Sequence, residues 1–347
     1  MTTTTTTAPP RVRPRYRLFA GIGAAALAGV LIGLVLTLTV APPGLAEPGA
    51  VLVVGLPLSR ALLDLAAVTT VGVSFLPKLL GTERPKRAAQ VLAFGRLVAV
   101  FSSAIWLVAA IASLLFETED LNLGKPLTMS AIVDYVRQIA SGQGLVIVAC
   151  AALIYLVIAL VAVRRGEVVP AELRITVALF TLLPLPVTGH ADSGTSWQDV
   201  NMISMELHVV GAVAWTGGLL AMILLVAANR TLLSFALPRY SRIATVCLFL
   251  TMITGLFNGW LVLYQTPGVH WYLALFTSGY GQILLLKGGC LAAAALLGAH
   301  IRFRLLPKIV EKKNTAVITW ATVELAVLGL AFGLAAVLVR APVINGS

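Results

Sequence analysis

The sequence predicts an all-α protein, a polytopic bundle of about nine transmembrane helices. Hydrophobic residues make up 59% of the 347 residues and charged residues only 11%, whereas soluble domains carry about 25% charged residues. The mean hydropathy is +0.96. Apolar runs of about 20 residues, the length that crosses the hydrocarbon core, recur along the whole chain. The 25 basic residues fall mostly in short loops between these runs, which argues against a nucleic-acid-binding patch.

Nine apolar runs are candidate spans. They are Leu18 to Ala41, Ala50 to Leu80, Ala88 to Phe116, Gly142 to Val163, Ala171 to Gly189, Met202 to Ala228, Ile243 to Tyr264, Tyr280 to Ile301 and Thr315 to Val339. The fifth is the weakest, because Pro184 and Pro186 interrupt its end. We expect one transmembrane domain over residues 18–340, a disordered basic cytoplasmic tail at 1–17 and a short outer tail at 341–347. Residues 130–141, of mixed polarity, are expected to lie on the outer membrane surface.

The loops predict the orientation. Cytoplasmic loops are enriched in Lys and Arg, and alternate loops of this chain are strongly basic. The opposite loops hold most of the acidic residues, among them Glu117, Asp120 and Asp134. Nine spans with a cytoplasmic N-terminus and an outer C-terminus fit this distribution. The bacterial inner membrane is the expected location.

Charged residues inside the predicted spans are candidates for function, since burying a charge in hydrocarbon costs several kcal/mol on most scales. Four of them, Asp64, Glu206, Lys287 and Glu324, define a candidate polar path descending from the outer face. The alternative is architectural, with opposite charges pairing to lock helices together. Estimated depths place Lys287 level with Glu206, and Glu324 closer to Asp64.

A second candidate site combines histidine and methionine. His190 lies at the outer end of the fifth run, beside Asp192, and His208 lies within the sixth run. Met202 and Met205 precede His208 at three-residue spacing. Thioether and imidazole groups together suit Cu(I), although methionines in apolar helices are usually packing residues. His270 and His300 are expected to lie at the membrane interfaces. Trp215 and the three cysteines are interpreted as packing residues.

The residues leave other functions open. The two histidines could instead hold a haem b iron between two helices, and the buried charges could serve a proton or small-solute transporter. No Gly-rich phosphate loop or nucleophile–base pair is present, so we do not expect an enzyme. Straight helices would separate His190 from His208 by about 12 Å, which favours two successive stations over one shared ion.

Several motifs between Val187 and Pro342 resemble the copper resistance protein D family of bacterial inner-membrane proteins. The matching segments are Thr188-Gly189-His190-Ala191, the stretch Leu207 to Leu219 with its His-x₆-Trp-x-Gly-Gly pattern, Thr254-Gly255, Tyr280 to Lys287, and Glu324 with the alanine-rich stretch after it. The segment Arg60 to Pro77 resembles longer actinobacterial members.

The resemblance implies a copper-handling membrane protein, with copper, as Cu(I), for its ligand. It implies that His190 and His208 are the paired histidines and that Lys287 and Glu324 are the buried charges. The expected role is transport of copper across the membrane or delivery towards cuproenzymes and oxidase assembly. Any periplasmic copper carrier would be a separate protein, and the remaining contacts would be with lipid rather than nucleic acid.

The charge distribution predicts that residues 80–87 face the cytoplasm and that residues 117–126 lie outside. A cysteine introduced at Glu83 should resist a membrane-impermeant thiol reagent in intact cells, and one at Glu119 should react. Native cysteines are first replaced by serine. Labelling at position 83 from outside would overturn the predicted topology.

Overall fold

The structure, a computed structural model, describes residues 16–37, 49–81, 85–188, 197–311, 313, 315–341 and 343. Helices account for the regular structure of these residues. The helices are α1 (Tyr16–Thr37), α2 (Ala50–Leu80), α3 (Pro85–Leu121), α4 (Met129–Gln138), α5 (Ala140–Arg165), α6 (Ala171–Phe180), α7 (Gln198–Ala221), α8 (Arg230–Gln265), α9 (Trp271–Thr277), α10 (Gly279–His300), α11 (Leu306–Val310) and α12 (Val317–Leu338). The predicted all-α polytopic bundle is confirmed.

Eight helices in the described part of the chain are long and apolar enough to cross a membrane, one fewer than the nine predicted runs. The difference lies in the fifth run, Ala171 to Gly189. It forms only the ten-residue helix α6, a turn, and a 3₁₀ turn at Leu185–Thr188. Pro184 and Pro186 supply no backbone N–H to continue an α-helix. Among the described residues, the fifth run therefore contains no regular helix long enough to span a membrane, and its interruption falls where the prolines predicted it.

The interrupted segment nevertheless runs alongside α2 in the opposite direction. At one end, Lys78 of α2 forms an ion pair with Glu172. At the other, the Arg60 guanidinium donates a 3.4 Å hydrogen bond to the carbonyl of Leu185. Lys78 and Arg60 are separated by about 27 Å of helix. The segment thus follows α2 for most of its length, and the freed Leu185 carbonyl accepts its hydrogen bond from a neighbouring helix.

Charged residues divide between the two ends of the bundle. At the basic end, Arg239 of α8 donates to the Leu79 carbonyl of α2, and Arg302 donates to the Ser241 carbonyl of α8. At the acidic end, Arg340 pairs with Asp120 at 2.8 Å. The names basic end and acidic end record where the charges lie and assign neither end to a compartment.

Glycines allow the central helices to touch backbone to backbone. A Cβ on Gly72 of α2 would meet the carbonyl oxygen of Gly217 of α7, and a Cβ on Gly217 would meet the carbonyl oxygen of Val68. Likewise, α1 packs in parallel on α12, where Gly333 lies against the Ala26 carbonyl. Small residues at such crossings let membrane helices gain dispersion energy that bulkier residues would prevent.

The segment expected on the outer surface contains the short helix α4 at the acidic end. The side chain of Thr128 caps it by accepting a hydrogen bond from the backbone N–H of Ala131. Its Met129 and Val133 side chains are exposed, whereas Tyr135 is buried. This two-sided pattern is that of an interfacial helix, and its contact with lipid stays a prediction.

The α2–α7 crossing predicts a strong effect of side-chain size at Gly217. We expect Gly217→Val to destabilise the protein by about 1–3 kcal/mol or more, because the added atoms force the two backbones apart. Thermal unfolding of the detergent-purified protein measures the effect. The control is Gly288→Ala, at an exposed helical position with no atom within 4 Å of an added Cβ. It should leave stability unchanged or raise it, since alanine favours helix more than glycine. Equal stability of both variants would contradict this packing role.

Candidate functional site

His208 lies at the interface of α7 with α8 and is held through one ring nitrogen. Its Nδ1 is 3.0 Å from the Thr251 carbonyl oxygen and 3.2 Å from Thr254 Oγ1. The Thr254 hydroxyl donates its own proton to the Leu250 carbonyl at 2.6 Å. Both partners of Nδ1 can therefore only accept, which places the imidazole proton on Nδ1.

This tautomer leaves the Nε2 lone pair of His208 available, and no hydrogen bond of Nε2 is found among the described residues. Histidines that bind metals commonly donate their other ring N–H to a carbonyl, which fixes the tautomer and orients the ring. His208 has this arrangement, because its Nδ1–H faces the Thr251 carbonyl. The ring also lies directly over Gly255, where an added Cβ would be 2.8 Å from the imidazole Cε1.

Met205 is the nearer of the two candidate methionines. It lies one turn from His208 towards the acidic end, and its Sδ accepts a 3.6 Å hydrogen bond from the Asn258 amide of α8. Met202 precedes His208 by six residues, which turns it about 120° around the helix. Glu206 is turned further still, by about 160°. The stripe expected from the three-residue spacing therefore drifts, and only Met205 shares the α8-facing side with His208.

The structure gives the neighbours of Asp64 and Lys287, which depth along the helices had left open. Asp64 forms an ion pair with Arg60 of its own helix, the Arg60 Nε lying 3.7 Å from the carboxylate oxygen. Lys287 of α10 lies within electrostatic range of both Asp64 and His208. Estimates of depth along straight helices could not reveal these lateral neighbours. Arg60, Asp64 and Lys287 make up a charge cluster of α2 and α10.

Glu324 belongs to a separate group nearer the basic end. It is only 3% exposed, and its Oε1 accepts a 3.2 Å hydrogen bond from the Trp215 indole. The Tyr240 hydroxyl donates to the Trp215 carbonyl at 2.9 Å, and Gly298 of α10 leaves room for the Glu324 carboxylate. The interpretation of Trp215 as a simple packing residue was therefore incomplete, because its indole N–H satisfies a buried acceptor.

The remaining candidates do not join these groups. His190 and Asp192 lie outside the described residues, so their placement stays a prediction. His270 precedes α9 and is exposed, and the His300 ring lies 4.6 Å from that of Trp320. In the described part of the chain, no three His, Cys, Asp or Glu residues cluster as metal ligands.

A cavity of about 280 Å³ opens between α1, α2, α3 and α12. Its polar lining residues are Thr37, Ser59, Arg60, Ser113, Glu117 and Arg340. Beside it, Tyr135 donates a 2.6 Å hydrogen bond to the Glu117 carboxylate. Burial and this hydrogen bond raise the pKa of Tyr135, so it stays a neutral donor. The cavity reaches Arg60 and so approaches the charge cluster from the acidic end.

Sequence reasoning missed three neutral polar residues near His208. Asn201, Thr251 and Asn258 are buried, and each carries a side-chain oxygen without a hydrogen-bond partner in the described structure. Thr251, Thr254 and Asn258 follow a helical three- and four-residue spacing along α8. This spacing is visible in the sequence, but neutral polar residues in an apolar run do not by themselves indicate a functional site.

These features define the protein as a polytopic α-helical membrane protein with polar clusters buried between its helices. The family model for copper resistance protein D matches residues 234–338, and that for the copper resistance protein D-like N-terminal domain matches residues 50–200. The chain belongs to the copper resistance protein D family. Lys287 and Glu324 lie in the first matched region and Asp64 in the second, whereas Met205 and His208 lie between the two.

Among curated proteins, the chain is similar to the copper transport protein CutJ of Bacillus subtilis (strain 168). The two are 31% identical over 132 residues, which is 37% of this chain and 23% of CutJ. The chain thus matches about a quarter of that relative's length. No solved structure matches the chain.

The Trp215–Glu324 contact predicts a stability difference between two tryptophans. Trp215→Phe should cost about 1–3 kcal/mol beyond the loss of ring volume, because it leaves a buried carboxylate oxygen without its donor. The control is Trp106→Phe, where the buried indole N–H has no partner among the described residues. Chemical or thermal unfolding compares the two. If Trp106→Phe proves as costly as Trp215→Phe, the hydrogen bond to Glu324 contributes nothing measurable.

Proposed function

We propose that this protein handles Cu(I) in the bacterial inner membrane, with His208 and Met205 binding the ion between α7 and α8. The observation that carries the proposal is the free Nε2 of His208, presented by an imidazole whose Nδ1–H is bound to the Thr251 carbonyl. Family membership supports copper as the cargo. The activity in view is transport across the membrane or delivery towards cuproenzymes.

The ligands favour a monovalent soft ion. Thioether and imidazole are neutral donors that suit Cu(I). The Lys287 side chain interacts electrostatically with His208, and a positive charge there would oppose a divalent ion more strongly than a monovalent one. Zn²⁺ sites usually add thiolate or carboxylate ligands, and Asp64, the carboxylate of the charge cluster, is already paired with Arg60.

The charge distribution supports an orientation in which the acidic end faces the periplasm. In that orientation copper would arrive from a separate periplasmic carrier. His190 and Asp192, with Met202, would form the outer station, and His208 with Met205 the inner one. Asp64, Glu206, Lys287 and Glu324 would provide the polar path.

His208→Ala should weaken Cu(I) binding by about tenfold or more, since even changes behind a metal ligand cost 10–100-fold in affinity. Cellular copper accumulation or copper-dependent oxidase activity should fall with it, while protein abundance is unchanged. The matched control is His270→Ala, an exposed histidine in the loop before α9. Abundance, bound copper and the optical spectrum are measured on one preparation.

The three readouts separate the competing functions. A Soret band in the wild type that disappears in the variant would support haem instead. Loss of the protein from the membrane would indicate that His208 is a packing residue. A well-expressed His190→Ala, His208→Ala double variant with normal copper binding would refute the copper site, and unchanged copper phenotypes would leave a proton or solute transporter in its place.

A further inference from the structure

Partnerless polar oxygens concentrate at one place in the described structure, the interface of α7 with α8. We call this interface the α7–α8 seam and define it by Asn201, Met205, His208, Thr251, Thr254 and Asn258. Asn201 and Asn258 are 2% and 4% exposed, and the Oδ1 atom of each has no hydrogen-bond partner in the described part of the chain. Thr251 Oγ1 is also buried and has no hydrogen-bond partner there.

Buried polar atoms without partners are rare and costly, and each needs a reason such as an ion, a water molecule or a catalytic role. An apolar residue at position 258 would pack between two apolar helices without this cost. Asn201 precedes His208 by seven residues, so helix geometry places both on the same face of α7. Asn201 and Asn258 therefore lie on the acidic-end side of His208, whereas Thr251 lies on the other side, beside Gly211.

Asn258 has a second, specific contact. Its Nδ2 donates to Met205 Sδ at 3.6 Å, which orients the amide so that Oδ1 points away from the sulfur. A thioether sulfur has two lone pairs, and this hydrogen bond uses one of them. The other remains for a metal ion. The contact fixes the Met205 side chain, which otherwise rotates freely about three bonds.

We propose that Asn258 is a positioning residue for Cu(I) binding: it holds the Met205 thioether towards His208 in the α7–α8 seam. Its free amide oxygen, with that of Asn201, receives the water shed by an ion entering from the acidic end. This inference rests on the proposed copper function and adds a residue to it. Asn258 acts through Met205 and is not itself a ligand.

Silver ion, a monovalent soft probe, is titrated into the detergent-solubilised full chain, and thermal unfolding is followed without metal. Asn258→Leu should weaken silver binding about tenfold, the lower end of the effect expected for a residue behind a ligand. It should not lower the unfolding temperature, because it removes an unsatisfied buried oxygen. Asn258→Gln, which keeps an amide donor, should retain most of the affinity.

The matched control is Thr70→Val, which removes a buried hydroxyl from the interface of α2 with α3, where Thr70 donates to Ser102 at 2.8 Å. It should leave silver affinity unchanged. A double-variant cycle tests whether Asn258 acts through Met205. In the Met205→Leu background, Asn258→Leu should weaken silver binding no further, since the effects of coupled residues are not additive.

Three results would overturn the inference: unchanged silver affinity in Asn258→Leu, a fall in affinity accompanied by an equal loss of stability, or additive effects with Met205→Leu. If Asn258→Leu does not accumulate, Asn258→Ala gives the same comparison. His208→Ala separates this inference from the proposed function. Silver binding unaffected by His208→Ala refutes the copper site itself, whereas binding lost in His208→Ala but normal in Asn258→Leu refutes only the role of Asn258.

Discussion

The close crossing of α2 and α7 at Gly72 and Gly217 is the contact on which the arrangement of the bundle depends. At this point the backbones touch, so no side chain separates the helices of the N-terminal matched region from those that follow. Lys287 interacts electrostatically with Asp64 of α2 and with His208 of α7, the two helices that cross here. In a membrane, where lipid tails are as apolar as the helices, such close packing replaces the hydrophobic driving force. The glycines thus determine which polar groups can become neighbours.

Polar groups in this protein occur in separate clusters between helices because each must find partners without water. The Arg60–Asp64 pair with Lys287 and the Trp215–Glu324 pair lie at different heights. The α7–α8 seam is different in kind, since its side chains are neutral and several of its oxygens have no partner among the described residues. A paired charge cluster is consistent with a structural role in holding helices together. Neutral groups without hydrogen-bond partners, beside a histidine with a free nitrogen, are better suited to a ligand that binds reversibly.

Much of the fold could be predicted from composition and periodicity, since hydrocarbon thickness dictates the length of an apolar run. The exception was Ala171 to Gly189, where Pro184 and Pro186 end the regular helix although the segment still follows α2. For the site, His208 and Met205 were found because their side chains are unusual in an apolar helix. Asn258 was missed, and the partners of Lys287 and Glu324 were left open, because position along a helix gives depth but not the direction in which a side chain points.

Hydropathy and residue types along the chain were enough to identify a helical membrane protein, its apolar runs, and the side chains that could bind a soft metal ion. These follow from the free energy of transferring each segment from water to hydrocarbon, which is a local property of composition. The folded bundle was needed to show that His208 is held at Nδ1 by Thr251, that Asn258 contacts Met205, and that Trp215 donates to Glu324. Those contacts join residues 43 to 109 positions apart. They depend on how helices rotate and cross, which is set by packing between segments that no local pattern describes.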